Sequence, residues 1–152
     1  MTLRLTLVKA TLEVTIALDE GAAPRAAAAL WAATPCRGSI LHSRRSGQEI
    51  FAILPPIVLH RENLVTSVSR GDVLVEVFPP HYRDNPPAPL VDPSRGYTHL
   101  GLVYGAATQW QTPEGYPPVT RLGRIVPPLD AFGAACSVIR SRGGERFVLA
   151  RG

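Results

Sequence analysis

The chain reads as a mainly β protein: a closed antiparallel β-barrel with two helices over its open ends. Three observations predict this class. Apolar and polar residues alternate over short runs, the period of a half-buried strand. Fifteen prolines and thirteen glycines among 152 residues punctuate those runs with turns. Only two stretches have helical character, so many strands must share their core with two helices.

Leu3, Leu5 and Leu7 alternate with Arg4 and Thr6; Leu12, Val14, Ile16 and Leu18 alternate with Glu13, Thr15 and Ala17. The two runs predict an antiparallel hairpin joined at Lys9-Ala10. Pro24 suits a first helical turn and the alanines after it favour helix, which predicts a helix over 24–33 ended by Pro35. Leu30 and Trp31 would pin it to the sheet. Strands follow at about 39–44 and 49–54, around Ser46-Gly47. Residues 64–69 read as a short strand and Arg70-Gly71-Asp72 as a turn. Val73, Val75 and Val77 read as one more strand.

Residues 78–96 contain six prolines. The segment is too long for a hairpin loop and too rich in proline for a helix, so it is expected to be a lid or an interface arm. A strand over 97–104 follows, broken at Gly105 by a loop carrying Gln109, Trp110 and Gln111, and then a strand over 119–126. After Pro127-Pro128, the spacing of Leu129, Phe132, Cys136 and Ile139 is helical. Asp130 in its first turn and Arg140 in its last suit the helix dipole. Gly143-Gly144 ends that helix and 146–150 is the closing strand. No repeat or linker divides the chain, so one domain over 1–152 is expected.

Composition narrows the function. The net charge is +4, carried almost wholly by arginine, with Lys9 the only lysine. The arginines are scattered rather than gathered on one run, which speaks against nucleic acid. No run of eighteen apolar residues suggests a membrane helix. The N-terminal pattern, interrupted by Arg4 and Lys9, is not that of a signal peptide, so a cytoplasmic location is expected. Cys36 and Cys136 match no zinc or redox spacing and read as free thiols. His42, His60, His81 and His99 are isolated in sequence, and no phosphate or dinucleotide motif occurs. Neither metal nor cofactor is expected.

The opening hairpin followed by an Ala-Pro, alanine-rich, Pro-terminated helix resembles cyclophilin-like proteins. So do Gly71–Leu74, Tyr104-Gly105 and Leu122-Gly123-Arg124-Ile125. His42, Arg44, Ser46 and Gly47 match a His-x-Arg-x-Ser-Gly strand of an uncharacterised bacterial family with this fold. The resemblance covers nearly the whole chain. It implies an eight-stranded barrel, and it implies prolyl isomerisation with Arg44 as the electrophile and Gln48 and Phe51 beside it.

The residues themselves offer two candidate groups. His42, Arg44, Ser46 and Gln48 alternate and can share one face. There Arg44 could hold a carboxylate or polarise a carbonyl, and His42 could act as acid or base. The second group is the stretch 97–126. Tyr97 and His99 alternate against Leu100 and Leu102, Tyr104, Gln109 and Trp110 lie at the far end, and Arg121 and Arg124 follow on the partner strand. An aromatic wall with an amide and guanidinium groups can grip a small polar molecule. The leading expectation is a small anionic or amide-bearing metabolite bound in the barrel mouth. The alternatives are prolyl isomerisation and an assembly role, with the 78–96 arm joining a homodimer.

Overall fold

The computed structural model describes residues 1–152. Its elements are β1 (Thr2–Leu7), β2 (Leu12–Leu18), α1 (Pro24–Ala32), β3 (Cys36–His42), β4 (Gly47–Leu54), β5 (Leu64–Val65), β6 (Asp72–Phe78), β7 (Tyr97–Thr108), β8 (Val119–Ile125), α2 (Asp130–Ser137), α3 (Ile139–Arg142) and β9 (Glu145–Arg151). Eight strands run in the order β2-β1-β9-β3-β4-β7-β6-β8, and β8 pairs back to β2 to close the barrel. All pairings are antiparallel, and β5 is an extra strand on the flank of β8.

The alternation seen in sequence becomes the barrel wall. Leu3, Leu5 and Leu7 of β1 meet Ile16 of β2, Leu100 and Leu102 of β7, and Phe147 of β9 in one buried cluster of 26 residues. Ala26, Ala27 and Leu30 of α1 close one part of this cluster, and Phe132 and Cys136 of α2 another. Side chains therefore fill the barrel interior, as in small closed barrels generally. No helix is long and apolar enough to cross a membrane.

Four elements differ from the sequence reading: the short strand expected over 64–69 is only Leu64–Val65, and three others change as follows. The strand expected to stop at Gly105 continues to Thr108. Gly105 is there for close approach, because a Cβ would strike the Gln48 amide. The Gln48 Oε1 atom accepts a hydrogen bond from the Ala107 backbone at 2.9 Å, and the Thr108 hydroxyl donates to the Gln48 carbonyl at 3.1 Å. Second, the strand expected over 39–44 is shifted towards the N-terminus. It ends at His42, because residues 43–46 form a turn in which the Ser43 hydroxyl oxygen accepts from the Ser46 N–H at 3.0 Å. Third, the C-terminal helix is two pieces. The Ser137 and Ser141 hydroxyls donate back to the Ala134 and Val138 carbonyls, a local bond that competes with regular helix.

The feature that positions the site is β7, whose first nine residues are buried without a break. Leu100 and Leu102 face the core, so Tyr97, His99, Gly101 and Val103 face outward. On most of a barrel such residues meet water. Here the outer face is covered by the proline-rich segment after β6 and by the loop after β7. Two satellite apolar clusters form beneath them, one around Val103, Leu74 and Trp110 and one around Ile53, Val91 and Tyr97.

Candidate functional site

Pairing register brings the outer-face residues together. β4 lies against β7 with Glu49 opposite Val103, Phe51 opposite Gly101 and Ile53 opposite His99. β6 flanks the other side with Phe78 opposite Tyr97. Glu49, Phe51, His99 and Phe78 therefore share one outward patch, although 50 residues separate Glu49 from His99. Glu49 reaches diagonally across Gly101, where any Cβ would strike its Oε1 atom. Its Oε1 atom lies 2.9 Å from the His99 Nε2 atom.

This pair is buried: Glu49 is 0% exposed and His99 7%. A buried carboxylate needs a donor, and the imidazole N–H supplies it. The other Glu49 oxygen, Oε2, makes no hydrogen bond within the protein. With Nε2 donating to Glu49, the tautomer leaves a lone pair on Nδ1. Nδ1 has no partner in the chain, is not sealed from solvent, and belongs to a residue lining a cavity of about 360 Å³.

Aromatic rings frame His99. Phe51 stacks on it at 4.2 Å between centroids with 12° between planes. Trp110 meets it edge-on at 5.2 Å, and Phe78 does so at 5.9 Å. Trp110 is 2% exposed and its indole Nε1–H finds no acceptor in the protein. Asn85, across the cavity on the proline-rich segment, has both amide atoms buried and unpaired. At the rim Arg44 is exposed and forms no ion pair or hydrogen bond within the protein.

Residues 82–87 of the proline-rich segment form the outer wall. Tyr82 stacks on Phe78 at 4.6 Å, and its hydroxyl donates to Glu114 at 2.6 Å. Arg83 reaches the same carboxylate at 3.1 Å, and Asp84 pairs with Arg45 at 3.1 Å. Burial pushes the Tyr82 hydroxyl up to about 12, helped by the hydrogen bond to Glu114. The same hydrogen bond holds the Glu114 carboxyl below its ordinary value. Burial also raises the Tyr97 hydroxyl well above the usual tyrosine range.

Of the two candidate groups, the cavity gathers His42, Arg44, Ser46, Tyr97, His99 and Trp110. It lies on the outer wall rather than in the barrel mouth, because Tyr97 and His99 occupy the outward positions of β7. His42 has both ring nitrogens engaged, Nδ1 with the Ser43 carbonyl at 2.8 Å and Nε2 with the Tyr104 hydroxyl at 2.7 Å. Tyr104 points to the core side of the wall, and burial raises its hydroxyl. Gln48 is bound to the end of β7, and Gln109 is exposed beyond it. Arg121 and Arg124 lie on β8 and do not line the cavity. Arg124 is 57% exposed and sits 3.1 Å from Asp72. The 97–126 wall thus divides, its β7 half on the cavity and its β8 arginines elsewhere.

The sequence reading missed Glu49, Phe78, Tyr82 and Asn85. The one local signal was Glu49 itself, a lone charge opening the apolar run Ile50–Leu54. Ser43, Ser46 and Thr112 carry the aliphatic hydroxyls on the cavity wall; Ser46 Oγ accepts from the Gln111 backbone at 3.2 Å, and none of the three hydroxyls is bonded to a histidine. No three His, Cys, Asp or Glu side chains come together as a metal-holding group.

Fold and site define a closed eight-stranded antiparallel barrel with a covered, aromatic pocket on its outer wall. The family model described as "Protein of unknown function (DUF3830)" matches residues 5–151, and the chain belongs to that family. No curated protein matches it. Among solved structures it is similar to McbB in complex with tryptophan, with a TM-score of 0.68 and 20% identity over 98% of this chain and 44% of McbB. The chain therefore spans under half of McbB's length. It is also similar to the solution structure of the hypothetical protein AF2241 from Archaeoglobus fulgidus, with a TM-score of 0.53 and 20% identity over 100% of this chain and 95% of that one. At such identity the likeness is one of fold.

Proposed function

We propose that the protein binds a small anionic or amide-bearing metabolite in the outer-wall cavity between β4, β7 and the proline-rich segment. One observation carries the reading: the cavity joins a wall of aromatic rings, Phe51, Phe78 and Trp110, to an exposed and unpaired guanidinium at its rim, that of Arg44. The apolar faces of Phe51 and Phe78 suit a planar or apolar part of that guest. Arg44 at the rim suits its negative group. The likeness in fold to McbB, whose structure is a complex with tryptophan, supports small-molecule binding on this scaffold.

A thermal-shift screen with small carboxylates, 2-oxo acids and primary amides, followed by calorimetry, tests this reading. Stabilisation by at least one class is expected, with Arg44→Ala weakening the binding about tenfold or more through the loss of a hydrogen bond to a charged group. No stabilisation by any compound would refute it.

A second reading follows from the cyclophilin-like barrel: prolyl isomerisation with Arg44 as the electrophile toward the prolyl carbonyl. It is supported by an apolar pocket on the outer wall with a free guanidinium at its rim. Isomerase activity on a short proline peptide that falls in Arg44→Ala is its expected outcome. The exposed residues Pro87–Leu90 leave room for the assembly reading as well. Shortening 82–94 would then lower the oligomeric state seen by size exclusion.

A further inference from the structure

We propose that the cavity is a proton-transfer site, in which His99 is the acid–base residue and Glu49 the positioning residue. The substrate class is a small 2-oxo acid with an acidic C–H beside its carbonyl. The inference deepens the binding reading and rests on it.

Three observations point to this chemistry. First, the Glu49 carboxylate fixes which nitrogen of His99 carries the proton, and the tautomer it selects turns a basic lone pair on Nδ1 to the cavity. A carboxylate, imidazole and substrate in this order are the parts of general base catalysis. Second, no hydroxyl or thiol is set up as a nucleophile. None of the Ser43, Ser46 and Thr112 hydroxyls is bonded to a histidine, and Cys36 and Cys136 lie outside the cavity. Third, Arg44 at the rim carries an exposed, unpaired guanidinium that suits the negative charge of the substrate and of a developing enolate.

The step balances without a co-reactant. The C–H bond next to the carbonyl breaks, and its proton moves to His99 Nδ1. The electron pair forms the C=C bond of an enolate, whose oxygen lies beside the substrate carboxylate against the Arg44 guanidinium. The imidazolium keeps its Nε2–H on Glu49. Return of the proton to carbon or to oxygen completes a tautomerisation, an epimerisation or simple hydrogen exchange. The substrate carboxylate lies toward Arg44, and its apolar substituent lies against Phe51 and Phe78.

The test follows deuterium uptake at C3 of phenylpyruvate and other 2-oxo acids by proton NMR in D2O, with binding measured on the same samples. Wild-type protein is expected to accelerate exchange over buffer, with His99→Gln lowering kcat about 10²-fold or more while binding persists. Glu49→Gln is expected to lower kcat without a matching change in KM. It should also alter the 15N shifts of His99, which in the wild type report protonated Nε2 and bare Nδ1. Those shifts need no mutant and stand even if the variant fails to fold. A wild-type Nδ1–H tautomer overturns the proposal. Binding of a 2-oxo acid without accelerated exchange overturns it while the binding reading stands. Binding confined to compounds without an acidic C–H overturns the substrate class, and no binding at all overturns both readings.

Discussion

Gly101→Ala is the sharpest probe of the site, because it changes one methyl group at the point where Glu49 passes over β7. The added Cβ would strike the Glu49 Oε1 atom and stand 3.3 Å from the His99 Nε2 atom. Gly101 is paired on both sides, to Phe51 and to Leu74, so the backbone has little room to retreat. The Glu49 side chain must therefore swing away, and the 2.9 Å bond to His99 breaks. A hydrogen bond to a charged group contributes about 1.5–3 kcal/mol, and the carboxylate left behind is fully buried. The expected loss is about 2 kcal/mol, or about 4–8 °C in Tm for a chain of this size. The diagnostic measurement is a double-mutant cycle by urea unfolding. In a Glu49→Ala background the collision is gone, so Gly101→Ala should cost about 2 kcal/mol less there than in the wild type. Additivity of the two changes within about 0.5 kcal/mol would refute the reasoning.

The other predictions concern the covering segment and the thiols. The Tyr82–Glu114 hydrogen bond lowers the Glu114 carboxyl below its ordinary 4.5, so its contribution is present above that value and is lost as pH falls through the lowered one. Tyr82 is raised from 10.0 to about 12, so its contribution is complete below 10 and is lost as pH rises through about 12. Limited proteolysis within 79–96 should therefore be slow between these limits and faster in acid. Tyr82→Phe should remove most of that acid dependence, and cleavage independent of both pH and Tyr82 would count against the latch. Burial pushes the Cys36 thiol up to about 11 and the Cys136 thiol higher still. Both should resist iodoacetamide at pH 8 in the native state and react on unfolding; rapid native labelling of Cys136 would contradict its place in the core.

Much of the barrel is legible in the sequence because its strands bury one face. Leu3, Leu5 and Leu7 on one run and Val14, Ile16 and Leu18 on the next can only be a hairpin with a shared inner side. The same rule fails on β7. Tyr97, His99 and Gly101 do alternate with Leu100 and Leu102, but both sets are buried, so alternation does not say which faces the core. That ambiguity is why the pattern points to the barrel mouth although the cavity lies outside. Glu49 was out of reach for a different reason. Its meaning depends on the β4–β7 register and on the empty space at Gly101, neither of which is local in sequence. The Gly105 break was misread because a glycine needed for close packing looks the same in sequence as one needed for a turn.

The strand order also constrains how the molecule is made. β1 and β3 both take β9 as a neighbour, yet β9 follows every other strand along the chain. During synthesis, β1 and β3 each present an unpaired edge until residues 145–151 emerge. The most sequence-distant contacts are thus the ones that seal the wall, a topology that favours slow, late, cooperative closure. Until then the nascent chain is an open sheet with two unpaired margins, each able to mispair.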